Sequence, residues 1–373
     1  MTSPDAHRPN QIDSTQRSLE RDIEAHRHQL TAYCYRMLGS IFEAEDAVQE
    51  TMLRAWRSAA TYEGRAPLRS WLYRIASNVC LDSLNGRQRR ALPMDLGAPS
   101  AGDQASASEP VEIPWIQPIP DRAGLAADDP GDAVAVRDTI RLAFVAALQH
   151  LDPRPRAVLI LRDVLAWPAV EVAELLEMTP TAVHSMLLRG RRTIASRTGP
   201  MDARRGRGTV DEQLVAKYVD AFARHDVGTL VALLHHDAVF SMPPLRRWMH
   251  GPLAIGTWWR QELCKDKTLV RTAANGGAAF GVYEPAANGV VEAFGIQVLE
   301  MADGRITGIH TFIDAALVTR FGLPLALDLR AGQPTVAPAT ALPGRQLRTE
   351  HAAAAPTISE GTVVGPVGFD SAR

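Results

Sequence analysis

Apolar positions repeat at helical spacing over the first quarter of the chain. Leu19, Ile23, Leu30, Tyr33, Met37 and Leu38 predict one helix, and Gly39 stands where it would stop. Ala44, Val48, Met52, Ala55 and Trp56 predict a second. A third begins near Pro67 and carries Leu68, Trp71, Leu72, Ile75, Val79 and Leu84. From Leu92 to about Asp132 the pattern disappears into Pro, Ala, Gly, Ser and Asp, a composition that buries no core and predicts an extended linker. Within it Val111, Ile113, Trp115, Ile116 and Ile119 form one apolar cluster, which suggests an anchoring point.

Helical periodicity resumes from Val136 to Arg197, with stripes at Ile140, Phe144, Leu148 and Leu151 and at Val158, Leu161 and Leu165. Pro168 to Leu176 then predicts a short amphipathic helix, Glu177 to Thr179 a turn, and Pro180 to Ala195 a second helix. Thr179 is placed to cap it and Pro180 suits its first position. Gly199 to Gly208 predicts a second linker. Beyond it the period becomes mixed: helices over Val210 to His225 and Val227 to His235, then strands over Ala238 to Met242, Leu269 to Thr272, Ala278 to Tyr283, Val290 to Met301 and Ile306 to Asp314. Residues 335–373 are rich in Ala, Pro, Gly and Thr and predict a disordered tail.

A chain of 373 residues with 46% hydrophobic content is globular and long enough for two or three domains. No apolar run is long enough to span a bilayer, and the polar start MTSPDAHRPNQIDSTQ lacks the core of a signal peptide, which predicts a cytoplasmic protein. The net charge of -2 hides a partition. Arginines gather at Arg87, Arg89 and Arg90, at Arg189, Arg191 and Arg192, and at Arg204, Arg205 and Arg207, whereas the stretch from Asp95 to Asp132 is acidic with Arg122 as its one base. Near-neutrality therefore does not exclude nucleic acid. Cys34, Cys80 and Cys264 are widely separated, and no Cys-x-x-Cys or His/Cys cluster suggests a zinc site, so no metal and no cofactor are expected.

On the second helix Asp46, Glu50, Arg54 and Arg57 share a face, with Gln49 beside them. Such a face is either ordinarily solvated or a surface for a protein partner, and spacing alone favours the former. The following stretch YEGRAPLRSWLYRIASN combines a loop with aromatics and bases. Holding an opened DNA strand needs a surface where a base can stack or be pocketed, with Arg nearby for phosphates. Trp71, Leu72 and Ile75 fit a core stripe, which leaves Tyr62, Arg65, Arg69, Ser70, Arg74 and Asn78 as surface candidates. In TPTAVHSMLLRGRR, small polar groups open the second helix of the helix-turn-helix and an arginine cluster follows, so base edges could be read at one end and phosphates held at the other.

DAVQETMLRAW and the loop and helix after it closely resemble region 2 of extracytoplasmic-function sigma factors. The resemblance implies that Asp46, Gln49, Glu50 and Arg54 grip the β′ clamp of core RNA polymerase. It further implies that the loop from Tyr62 to Leu68 captures a base of the promoter −10 element. Contact with the −10 element would be shared among Tyr62, Arg65, Arg69, Ser70, Arg74, Asn78, Asp82, Arg87 and Arg90. The helix-turn-helix resembles sigma region 4, which implies −35 recognition through Thr181, His184, Ser185, Arg189 and Arg192, with LDPRPRAVLILRDVLAWPAVEVAELLEM as the core and the surface for the polymerase β flap. The segment VAKYVDAFARHDVGTLVALLHHDAVFSMPPLRRWMHG and the strands after it resemble the SnoaL-like polyketide-cyclase and ketosteroid-isomerase family, a cone of curved sheet closed by helices. His310, Phe312 and Asp314 would alternate onto one face, and Asp237, Trp248, His310 and Asp314 would line a cavity.

The expected protein is thus multidomain: two all-α sigma modules, region 2 at residues 19–92 and region 4 at 136–198, joined by an acidic proline-rich linker at 93–135, followed by an α+β SnoaL-like domain at 210–327. Core RNA polymerase and promoter DNA are the expected partners, with an anti-sigma factor or a small ligand as further candidates and no membrane insertion. The attached domain would tune activity rather than catalyse, because many members of that fold only bind. Two rivals stay open: a ligand-responsive one-component regulator, which leaves the Asp46 to Arg90 block unexplained, and a SnoaL-class enzyme fused to DNA-binding modules.

Overall fold

The computed structural model describes residues 19–59, 62, 64, 66–102, 112–124, 138–197, 210–260, 266–329 and 363–364. Arg65, Cys264, the second linker and most of the expected tail lie outside them. Two compact units result: Met1–Leu92 with Ile113–Ala203, and Pro93–Glu112 with Arg204–Arg373. The stretch expected as one linker is therefore shared between them.

The first unit is helical. Helix α1, Arg27–Leu38, ends where Gly39 turns left-handed at φ +69 and its amide donates to the Tyr35 carbonyl, a C-terminal arrangement that Gly adopts without side-chain strain. Ser40 then caps α2, Ile41–Ser58: its Oγ accepts the Glu43 amide at 3.3 Å, in the Ser-x-x-Glu spacing of a capping box. Ile41, Ala44, Val48, Met52 and Ala55 bury one side of α2. Helix α3, Leu68–Leu84, buries Leu72, Tyr73, Ala76, Ser77 and Cys80, whereas Trp71 and Ile75 are only partly covered. Its inward face is thus rotated from the purely apolar stripe. The rotation is tolerated because Ser77 Oγ and Tyr33 Oη satisfy each other at 2.7 Å.

Within the same unit follow α4, Leu142–Gln149, and α5, Pro153–Leu159, which runs into one π-helical turn at Ile160–Val164. Helices α6, Ala169–Leu175, and α7, Pro180–Arg197, form the helix-turn-helix. Glu177 has φ 53 in the turn, and Thr179 Oγ1 accepts the Ala182 amide at 3.2 Å as the expected cap. The apolar cluster at Trp115 is anchored: Ile116 and Ile119 are fully buried, and the Ile116 amide donates to the Ala91 carbonyl at 3.1 Å.

Two buried arginines join the helices. Arg36 donates to the carbonyl and hydroxyl oxygens of Thr139 at 3.1 and 2.8 Å. Arg156 donates to the carbonyls of Met37, Gln149 and Leu151 and to Gln149 Oε1. Burial draws both guanidiniums down to about 10. These bonds tie α1 to the region before α4 and to α5, so the helices on both sides of the acidic stretch share one core.

The second unit is α+β. Asp211 Oδ1 caps α8, Glu212–Ala223, and Asp226 Oδ1 caps α9, Val227–Ala232. The strands are β1 Leu234–Ser241, β2 Trp248–His250, β3 Thr268–Ala274, β4 Gly277–Pro285, β5 Val290–Ala302, β6 Arg305–Phe312, β7 Ala326–Asp328 and β8 Val363–Val364. Their order is β2-β1-β6-β5-β4-β3-β8, with β7 on β5; β1 and β6 are parallel and the other pairs antiparallel. Helix α10, Gly251–Arg260, follows β2, and α11, Ala315–Arg320, follows β6. Leu214, Tyr218, Ile255, Trp258 and Trp259 form the core against Phe240, Phe280, Leu299 and Ile309 of the sheet.

Helix α9 stops three residues before the expected His235, because the chain turns into β1 at Leu234. Helix α10 was not expected at all. Its signals are Pro252 in the first turn and the spacing of Ile255, Trp258 and Trp259, easily lost in a stretch only ten residues long.

The edge strand β2 carries part of the acidic stretch. The Ser100 amide donates to the Trp248 carbonyl at 2.8 Å, Ser100 bridges Met249 in parallel, and Trp248 Nε1 donates to the Gly97 carbonyl at 2.9 Å. Gly102 is buried at φ +84, and a Cβ there would stand 2.3 Å from the Ala254 carbonyl oxygen, so only Gly fits this approach.

Candidate polymerase and promoter interface

On α2 the apolar face turns inward and leaves Asp46, Gln49 and Arg54 exposed, with Glu50 half-buried beside them. Arg54 Nε donates to Glu50 Oε1 at 2.7 Å, one helical turn apart, and Arg54 Nη1 reaches to 3.9 Å from Asp82 Oδ2. The face is polar, organised and accessible.

The residues expected to hold the −10 element divide. Arg74, Asn78 and Asp82 are exposed along α3, and Arg87 is exposed just past it while pairing with Glu43 at 2.9 Å. Arg69 is exposed too, with its guanidinium 4.8 Å from the centre of the Trp167 ring and 5.6 Å from that of Tyr73. Ser70 is half-buried. Tyr62 packs 4.9 Å from Trp71, and its hydroxyl donates to the Ala66 carbonyl at 2.6 Å. Arg90 differs from its neighbours. It lies largely covered, pairs with Glu43 Oε1 at 2.6 Å and donates to the Trp115 carbonyl at 2.5 Å, so its charge is used inside the unit. Arg65 lies outside the described residues.

On α7 the expected −35 set stays together. Thr181, His184, Ser185, Arg189 and Arg192 are all exposed, while Val183 and Leu187 face the core. Arg191, between two of them in sequence, is engaged differently: it makes a two-pronged ion pair with Asp163 at 2.6 and 2.8 Å. Asp82 from the first set and Arg189 from the second line one cleft of about 890 Å³ within this unit.

The four residues expected to line a SnoaL-like pocket are not brought together. Asp314 lies beyond β6 and accepts the Ala316 amide at 2.9 Å as the cap of α11. Trp248 is occupied with Gly97. Asp237 meets His236 Nε2 at 3.0 Å and His250 Nε2 at 3.7 Å. His310 is buried, with Nδ1 2.8 Å from Ser241 Oγ and Nε2 3.5 Å from Glu300 Oε2. Its partners across the sheet are Ser241 and Val298, whereas the neighbouring row of Phe240, Ile309 and Leu299 faces the helices, so strand alternation turns His310 away from the helix-covered face. The polar network on the helix side was missed from sequence: Tyr218 Oη donates to Gln297 Oε1 at 2.7 Å and Gln297 Nε2 to Thr311 Oγ1 at 3.0 Å.

The helix-turn-helix beside a polar α2 and an arginine-bearing α3 is the arrangement of a sigma-70-type initiation factor, and comparison with known families agrees. Sigma-70 region 2 matches residues 23–90, Sigma-70 region 4 matches 141–194, and the SnoaL-like domain matches 215–309. The ECF RNA polymerase sigma factor SigG of Mycobacterium tuberculosis is 42% identical over 313 residues, covering 82% of this chain and 83% of that protein. SigJ of the same organism is 31% identical over 220 residues, or 59% of this chain and 63% of SigJ. The crystal structure of SigJ aligns with a TM-score of 0.53 at 25% identity, covering 82% of this chain and 99% of that one.

The chain belongs to the extracytoplasmic-function sigma factors. It binds core RNA polymerase, recognises promoter −10 and −35 elements and initiates transcription.

Proposed function

We propose that Asp46, Gln49, Glu50 and Arg54 dock on the polymerase β′ clamp, that Tyr62, Arg65, Arg69, Ser70, Arg74, Asn78, Asp82 and Arg87 hold the −10 element, and that at the −35 element Thr181, His184 and Ser185 read base edges while Arg189 and Arg192 hold phosphates. The carrying observation is exposure: the α2 and α7 sets face solvent together on helices whose other sides are core. Arg90 leaves the DNA set and becomes a strut between Glu43 and Trp115. The flap-binding surface belongs to the helices around the π turn.

The described form is closed. Asp82 and Arg189 share one cleft, yet the two promoter elements they would serve lie about 25 base pairs apart, roughly 85 Å at 3.4 Å per step. Core binding must therefore separate the two helical modules, at the cost of the bonds of Arg156 to the Met37 carbonyl and of Arg36 to Thr139. The second unit acts on this equilibrium. It holds residues 97–102 against β2 and α10, which shortens the free chain between the modules and favours the closed form. Its role is regulatory rather than catalytic, since the four candidate pocket residues are engaged separately. The protein acts in the cytoplasm, where polymerase works; none of its described helices is long and apolar enough to cross a membrane.

Transcription in vitro with sigma-free core polymerase tests this reading. Full chain and a form ending at Arg197 should both bind core and start from a shared promoter, the shorter form at lower concentration. Failure of both to bind core would overturn the assigned docking face; identical titrations would overturn the regulatory role.

A further inference from the structure

We propose that His235, His236, Asp237 and His250 form a binding site for a divalent metal ion of the zinc class. The backbone creates the cluster. Strand β1 pairs with β6 at Leu234–Ile306 and again at Val239–Gly308, so five steps on β1 span only two on β6 and the chain bulges between them. In a regular strand His235 and His236 would point to opposite faces. In the bulge their rings lie 4.0 Å apart, and ligand atoms of His235, His236 and Asp237 all fall within 4.8 Å of one another. Strand β2 brings His250 opposite Val239, with its Nε2 3.7 Å from Asp237 Oδ1.

Three imidazoles and a carboxylate suit a borderline transition-metal ion and not the oxygen-seeking Mg²⁺ or Ca²⁺. Metal–ligand bonds of about 2.0–2.2 Å place tetrahedral donors roughly 3.3–3.6 Å apart. The His236–Asp237 and Asp237–His250 separations of 3.0 and 3.7 Å already bracket that edge. His236 is 78% exposed and His250 46%, so both rings have room to rotate about Asp237. One bond is given up: His235 Nδ1 now accepts the Asp237 amide at 3.1 Å, and ligation through either ring nitrogen ends that acceptance, since a metal-bound neutral imidazole carries its proton on the other nitrogen. The carboxylate between the imidazoles supplies the negative charge that a divalent ion requires. Bound there, the ion would pin the bulge to β2, the strand that also holds Ser100 and Gly97.

The test uses the untagged full chain, titrated with Zn²⁺ by calorimetry and with Co²⁺ by visible absorption. The expected result is one equivalent of Zn²⁺ bound, a Co²⁺ spectrum of low-symmetry nitrogen and oxygen ligation, and a rise in Tm with Zn²⁺. His236→Ala and Asp237→Asn should each weaken binding at least 10-fold and abolish the Tm rise, while His28→Ala, an exposed histidine of the first unit, should change neither. His236 is exposed enough that its removal leaves folding intact, which circular dichroism would verify. Absence of binding at millimolar Zn²⁺ would overturn the site, as would binding that survives both His236→Ala and Asp237→Asn. In either case the four side chains are only an imidazole–carboxylate cluster.

Discussion

Trp248 donates its indole N–H to the Gly97 carbonyl at 2.9 Å, and through that bond the edge of the C-terminal sheet takes hold of the chain between the sigma modules. The Ser100 amide on the Trp248 carbonyl adds a second hold. Trp248→Phe removes the donor and keeps the ring; Trp248→Ala removes both. Both should leave the sheet folded and speed proteolysis within residues 95–112, several-fold for Phe and roughly 10-fold for Ala, because each net hydrogen bond contributes on the order of 1 kcal/mol. Gly102→Ala should act alike, since its Cβ would meet the Ala254 carbonyl oxygen. Limited proteolysis read by mass spectrometry checks this, and cleavage rates equal to the parent's would remove the docked segment from the regulatory scheme.

Arg156 is the residue whose loss should be felt most inside the helical unit. Arg156→Met keeps much of the volume but strands the Met37, Gln149 and Leu151 carbonyls without this donor. Leaving a buried acceptor unsatisfied costs about 1–3 kcal/mol, and a loss of that order or somewhat more is expected here. Urea unfolding should show the loss in the transition of the first unit alone. If the variant still folds, the closed form has lost the tie between Arg156 and the Met37 carbonyl, so cysteines placed at Asn85 and Arg154, both lining the cleft, should report a longer mean distance by energy transfer. An unchanged distance would mean that other contacts hold the modules together.

The helices of the first unit, with the helix-turn-helix, were legible because their signals are local: period, Gly39 at a C-terminus, Thr179 at a cap. The four strands from Thr268 to Phe312 were legible for the same reason, whereas β7 and β8, of three and two residues, were not, and β8 pairs with β3 from inside the stretch expected to be disordered. What was not legible depends on contacts made far along the chain. Arg90 looks like its neighbours Arg87 and Arg89 in sequence, and only Glu43 and Trp115 decide that it is a strut. Tyr73 and Ser77 stand outside the apolar stripe of α3, and it is Tyr33 against both and Trp167 against Tyr73 that place them in the core, where burial pushes the Tyr73 hydroxyl up to about 12. Strand parity turns His310 of the expected pocket set away from the helix-covered face. His310 belongs to a row defined by Ser241 and Val298, and no single-strand pattern tells which row faces the helices. The histidine bulge was invisible because alternation predicts divergence for adjacent residues.

The α2 face gives a separate prediction. Asp46 and Gln49 are exposed, so Asp46→Arg or Gln49→Arg should leave stability within about 0.5 kcal/mol, the usual range for a surface change. Their effect should fall on core binding, with affinity for core polymerase reduced at least 10-fold by reversing the charge at Asp46 or introducing one at Gln49. Glu50→Ala breaks the pair with Arg54, which as an exposed one-turn pair contributes only about 0.3–0.5 kcal/mol to the helix. Fluorescence anisotropy of labelled protein against core measures all three. Binding unaffected by Asp46→Arg would return this face to ordinary solvated surface.

The arginines of α7 separate most sharply. Arg189 and Arg192 are exposed on the side that carries Thr181, His184 and Ser185, whereas Arg191 is clasped by both oxygens of Asp163. Each phosphate contact contributes a slope of about −0.9 to the dependence of log affinity on log salt. Arg189→Ala and Arg192→Ala should each weaken binding to all sequences alike and flatten that slope by about one. Arg191→Ala should flatten it far less, because its guanidinium is already neutralised by Asp163. Asp163→Asn then becomes informative: loosening the clasp frees Arg191 for phosphate, so affinity for DNA should rise and the salt slope steepen. His184→Ala and Ser185→Ala should instead narrow the gap between specific and nonspecific DNA while leaving the slope in place. Titrations of the holoenzyme on promoter and scrambled duplexes at several salt concentrations read both quantities. An Arg191→Ala slope change equal to that of Arg189→Ala would show that the Asp163 clasp does not survive on DNA.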